Sequence, residues 1–275
     1  MSAMSLRFIA FQASAVLLLS LGASAQDITI ANKNSSLDVN TNTSAGVINW
    51  NVDGVDYAKN QWFYYRVGSG PESPLQSITS SPAVAITSLS SFARLNLTYA
   101  NSSYSVLTSL RLTGNTPGSG RSQLNEDITV SNLSGSPLDL HFFQYSDFDL
   151  FGTTGGQSVQ FYQNSANNQY YKAVQTDGTH TVTETVNSTI FPIGHFEAAL
   201  FNDTLSSLTD GTPTTLNDVT SAGVGDVSFS YQWDVTLAPG ASFQLSKLIE
   251  IVPEPSSMAI LALAGISMTL YRRRN

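Results

Sequence analysis

The sequence predicts an all-β protein, a single large antiparallel β-sandwich followed by a short C-terminal transmembrane helix. Three observations carry this expectation. Apolar and polar residues alternate with period two along most of the chain. Clusters of Gly, Pro, Asn and Asp recur between the alternating runs, and helical spacing is confined to one stretch. Many short strands with frequent turns make a sandwich or a barrel, and uneven strand and loop lengths favour the sandwich.

At the N-terminus, Arg7 supplies a positive region, residues 8–21 an apolar run, and Ala23-Ser24-Ala25 a small-x-small cleavage site. Residues 1–25 therefore read as a secretory signal peptide, cut between Ala25 and Gln26. The apolar run is shorter than the ~20 residues of a spanning helix, which argues for cleavage over a permanent anchor. Residues 26–252 form the exported body. Strands are expected at 47–52, 61–67, 83–88, 94–99, 104–112, 127–132, 138–145, 158–162, 170–176 and 180–186, all short, β-branched or aromatic runs between turn clusters. Residues 196–208 place Phe196, Ala199, Leu200 and Leu208 at helical spacing and predict the one helix of the body. From Val227 to Leu237 every odd position is apolar and every even one polar, as in a half-buried antiparallel strand. Ala238-Pro239-Gly240 suits a type II turn into a last strand at 243–252, so a hairpin is expected to close the domain.

The chain ends in Pro253-Glu254-Pro255, an apolar run over 258–271, and Arg272-Arg273-Arg274-Asn275. Proline fixes φ and biases its predecessor away from helix, so the Pro-Glu-Pro segment is extended. The three arginines stay cytoplasmic and orient the body outside. This order of parts resembles the PEP-CTERM sorting signal of exported bacterial proteins, over roughly the last tenth of the chain. The resemblance implies an exosortase as partner, with Pro253, Glu254 and Pro255 as the recognised motif. It also implies a precursor anchored in the inner membrane, then release to the cell surface or an extracellular, biofilm-type matrix. Residues 253–275 are thus read as a sorting tail, although the sixteen residues 256–271 give only about 24 Å of helix.

Composition narrows the partners. Four of the twelve Lys and Arg lie in the two ends, against one of the twenty acidic residues, which leaves eight basic and nineteen acidic residues in the body. Such an acidic surface argues against nucleic acid and against anionic membrane surfaces. With no cysteine, disulfides, thiolate nucleophiles and zinc–thiolate sites are excluded.

Asp147 and Asp149 stand at i and i+2 on a strand end that leads into a glycine loop. They are candidate Ca²⁺ ligands, or one of them a carboxylate for glycoside hydrolysis; otherwise they cap a solvated strand end. His141, His180 and His195 fall in no metal-binding motif, and no Gly-x-Ser-x-Gly elbow or phosphate loop is present. Rings on both faces of the 61–67 strand suggest exposure of some, and Trp62 with Tyr64, two residues apart, are the candidate anchors for stacking on exopolysaccharide. No catalytic constellation is visible. The sequence alone therefore favours a non-enzymatic structural or polysaccharide-associated role, calcium being the one cofactor it suggests. The alternative is an exported carbohydrate-active enzyme on the same scaffold.

Overall fold

The computed structural model describes residues 16–17, 27–187 and 191–253. Of residues 1–25 only Val16–Leu17 is described, paired with Thr87 and Ile86 at a sheet edge. Ala23, Ala25, Glu254, Pro255, the apolar tail and Arg272, Arg273 and Arg274 lie outside the described residues, and among those described no helix is long and apolar enough to cross a membrane.

Two large sheets form the protein. Beyond the Val16–Leu17 edge, the first runs Ala83–Ser88, Ala93–Ala100, Tyr104–Gly114, Ser122–Asn132, Ser242–Pro253, His180–Val186, Tyr170–Thr176, Gln157–Gln163 and Ser221–Gly225. The second runs His195–Leu200, Val227–Leu237, Leu138–Asp147, Asn60–Val67, Gly46–Val52, Ser35–Asn40 and Asp27–Asn32. Strand pairing is antiparallel except where Gly46 and Val47 meet Gln61.

The expected hairpin at the end of the domain is corrected. Val227–Leu237 pairs with Leu138–Asp147 and His195–Leu200, whereas Ser242–Pro253 pairs with Ser122–Asn132 and His180–Val186 in the other sheet. The turn itself forms: the Ala241 N–H donates to the Ala238 carbonyl at 3.0 Å, and Gly240 takes the φ of +75° that a type II turn needs. It arches between layers, and the last strand runs on through Pro253. The expected helix is corrected as well. Residues 195–200 are a strand, with Phe196 and Ala198 buried at alternate positions, and only Asp203–Ser207 is helical. Pairing with Val227–Leu237 overrides a local helical spacing of four apolar residues.

Between the sheets lies an aromatic core. Phe142 is 5.7 Å from Phe63 within its own sheet and 6.0 Å from Phe243 in the opposite one. An ionic cluster is enclosed in the same layer: Lys247 Nζ lies 2.6 Å from Glu126 and 3.0 Å from Glu184, all three side chains fully buried. Gln61 donates to Glu126 at 2.9 Å and Gln144 to Glu184 at 3.0 Å. Burial raises the Glu126 pKa above the ordinary value, and the Lys247 charge opposes that rise.

The second sheet is covered on both faces at its centre. Ser228, Ser230 and Gln232, expected to face solvent, are buried. Residues 68–82 and 201–219 meet over the sheet, where Glu72 binds Arg66 Nε at 3.1 Å and accepts the Thr214 N–H at 2.9 Å, while Gln232 accepts the Leu216 N–H at 2.9 Å.

Candidate functional site

Antiparallel register sets His141 directly opposite Asp234, so their side chains share one face of the second sheet. His141 Nδ1 is hydrogen-bonded to Asp234 Oδ1. Gln232 Nε2 donates to both oxygens of the same carboxylate, at 2.9 and 3.0 Å. On the edge strand, His195 pairs in register with Gln232, which brings its Nε2 to 4.0 Å from Asp234 Oδ2. His195 Nδ1 is held by Asp218 Oδ2 at 3.0 Å, and Asp218 Oδ1 accepts the Phe196 N–H at 3.2 Å.

Two imidazoles thus flank one carboxylate. Each has a carboxylate bonded at Nδ1, and a second carboxylate oxygen near Nε2: Asp139 Oδ1 at 3.8 Å from His141 and Asp234 Oδ2 at 4.0 Å from His195. The side chains of His141, His195 and Asp234 are 20%, 35% and 35% exposed, within reach of solvent and of a small solute. Imidazole both takes and gives protons near neutral pH, so the arrangement provides two oriented groups for general acid–base chemistry. The sequence concealed it. Its members are separated by up to 93 positions, and only strand register joins them. His180 belongs elsewhere, bonded to Asp177 at 2.9 Å and stacked on Phe151.

At the far end of the strand Leu138–Asp147, Asp147 and Asp149 come together with Asp226, with one oxygen of each within 4.8 Å of the others. The solvated strand end is corrected here, because Asp147 is 1% exposed and neither of its oxygens has a hydrogen-bond partner. Burial, then the charges of Asp149 and Asp226, push its pKa up to about 8, against the pull of Lys59. Asp149 and Asp226 are raised too, both chiefly by burial.

Trp62 and Tyr64 are corrected as sugar anchors. Both are fully buried. The Trp62 indole sits against Gly46, meets Tyr99 edge-on, and donates from Nε1 to Gln76 Oε1 at 3.0 Å. Burial pushes the Tyr64 hydroxyl up to about 12. A cavity of about 280 Å³ opens instead among Asn164, Asn167, Gln169, Tyr170, Tyr171 and Ile193, the last two positions before His195.

No protein-family model and no curated protein sequence matches the chain. Solved structures do share its fold. A bacterial glucoamylase complexed with acarbose aligns with a TM-score of 0.57 at 10% identity, over 92% of this chain. The chain spans only 37% of that enzyme's length. Galactose 1-epimerase from Lactobacillus acidophilus NCFM aligns with a TM-score of 0.53 at 11% identity, over 88% of this chain and 99% of its own. The Slr1438 protein of Synechocystis sp. PCC 6803 gives 0.52 at 9% identity, over 84% and 97%. These likenesses establish the two-sheet, galactose mutarotase-like fold. The non-enzymatic reading is corrected: two of these three structures are named sugar-processing enzymes, and the sheet brings together histidines and carboxylates that lie far apart in the sequence.

Proposed function

We propose that the chain is an exported carbohydrate-active enzyme that moves protons on a sugar, with His141 and His195 as its acid–base pair. The observation that carries this reading is the pair of imidazoles set about Asp234, each fixed by a carboxylate at Nδ1 and each partly exposed. Interconversion of sugar anomers needs such a pair. One Nε2 takes the proton of the anomeric hydroxyl while the bond from C1 to the ring oxygen breaks, and the other imidazole, protonated, gives its proton to that oxygen. The open-chain aldehyde turns about its C1–C2 bond and the steps reverse with the two roles exchanged. A reaction that runs both ways suits two like groups. The alignment with a galactose 1-epimerase over 88% of this chain and 99% of the other supports this reaction class.

Hydrolysis through Asp147 or Asp149 is not favoured. Asp147 is 1% exposed and so is closed to substrate. The address follows from the leader and the tail: a signal peptide over 1–25 and a PEP-CTERM-like tail over 253–275 support export, with an inner-membrane precursor processed at Pro253-Glu254-Pro255. Polarimetry on freshly dissolved α-anomers of common aldoses, with the purified full-length chain, tests the activity. No acceleration on any aldose defeats the proposal.

A further inference from the structure

We infer that Asp147, Asp149 and Asp226 form a binding site for a divalent cation of the calcium class. The site is separate from the histidine pair, six residues or about 20 Å along the same strand. Three rigid points of the fold carry its ligands. Asp147 ends the strand Leu138–Asp147, Asp149 begins the turn Leu150–Gly152, and Asp226 precedes the strand Val227–Leu237.

The geometry admits calcium. Calcium takes oxygen ligands at 2.3–2.6 Å, so oxygens on opposite sides of one ion stand about 4.6–5.2 Å apart. The three carboxylates fall within 4.8 Å of one another, inside that limit.

A second observation is independent of the clustering. Asp147 is 1% exposed, and neither of its oxygens meets a donor. A carboxylate removed from water with no partner is costly, and coordination of a metal is one of the few ways to satisfy it. Asn60, its register neighbour, also holds a buried side-chain oxygen with no hydrogen bond, a neutral ligand of the kind calcium accepts. Among the described residues, the exposed Lys59 is the cation that acts on the cluster, one positive charge against three carboxyl groups.

The test is calcium alone, added to the chelator-treated full-length protein. At a concentration tenfold above Kd, the Tm should rise by about 3–6 °C. Asp226→Asn and Asp149→Asn, both at half-buried positions, should each fold and lose most of that shift. Titration calorimetry should show binding to the parent and not to Asp226→Asn. No heat and no Tm shift up to about 10 mM calcium, above the ~0.1–1 mM affinities of extracellular calcium modules, would overturn the site and leave a cluster that is merely protonated. A full shift retained in Asp226→Asn would overturn it as well. Neither readout depends on the sugar chemistry at His141 and His195.

Discussion

His141 and His195, far apart in sequence and on strands that do not touch, face the same Asp234 carboxylate: His141 Nδ1 is bonded to Oδ1, and His195 Nε2 stands 4.0 Å from Oδ2. The strand Val227–Leu237 lies between them and pairs with both of theirs. A carboxylate shared in this way couples the two imidazoles electrostatically, so changing one is expected to alter the other.

Replacing either imidazole therefore tests the proposed pair. His141→Ala and His195→Ala are each expected to lower kcat by about 10²–10⁴-fold. Both side chains are partly exposed, so Tm should change by only a few degrees. Asp234→Asn should shift the pH–rate profile of whichever imidazole remains active, which a purely structural carboxylate would not do.

The buried ion cluster makes a prediction of the opposite kind. Lys247→Met leaves Glu126 and Glu184 enclosed without a counter-charge, and loss of one partner of a buried pair costs about 3–5 kcal/mol. Adding Glu126→Gln and Glu184→Gln removes the unmatched charge, so the triple variant is expected to recover much of that loss in urea denaturation. A triple variant no more stable than Lys247→Met would show that packing, not charge, sets the cost.

Stability should also depend on pH through Asp147. Its folded pKa, about 8, lies above the ordinary 3.8, so the folded state holds a proton that the unfolded chain releases. The resulting stabilisation is complete below about pH 4 and is lost as pH rises to about 8. In chelator, Tm is expected to fall across that window, and Asp147→Asn should flatten the slope. An equal slope in the variant would place the titration elsewhere.

Trp62→Ala separates a core ring from a sugar anchor. With the indole fully enclosed, truncation is expected to cost about 3–5 kcal/mol. A well-folded variant at wild-type Tm, with weaker retention on polysaccharide gels, would contradict the buried placement.

Much of the architecture was legible because alternation reports a strand whatever its partner. Runs at 83–88, 170–176, 180–186 and 227–237 coincide with the observed strands. Asp27–Asn32 and Ser35–Asn40 alternate in burial too, but with only three and two apolar side chains they give a weak signal. What alternation cannot carry is the identity of the neighbour. The same Pro-Gly turn serves a hairpin or an arch between layers, and only long-range pairing sends Ser242–Pro253 to the opposite sheet. The candidate site was hidden for the same reason: His141, His195 and Asp234 lie on three strands whose order no local pattern encodes. Asp147 and Asp149 were visible as an i, i+2 pair, whereas Asp226 joins them only through register.

The sorting tail makes a separate prediction. Changing Pro253-Glu254-Pro255 to three alanines should leave export intact and stop processing, so that a full-length species collects in the inner membrane. Mass spectrometry of the C-terminus reads the outcome, and normal processing of the variant would remove the resemblance as a guide to its address.

The central claim is that this fold carries sugar acid–base chemistry at His141 and His195. Exchange NMR between the α and β anomeric protons of a free aldose, with and without the purified chain, measures it most directly. Exchange faster than the uncatalysed rate is expected, abolished in the His141→Ala/His195→Ala double variant and retained when Asp226 is changed to Asn. Uncatalysed exchange with every aldose, or catalysis that the double variant keeps in full, would contradict it.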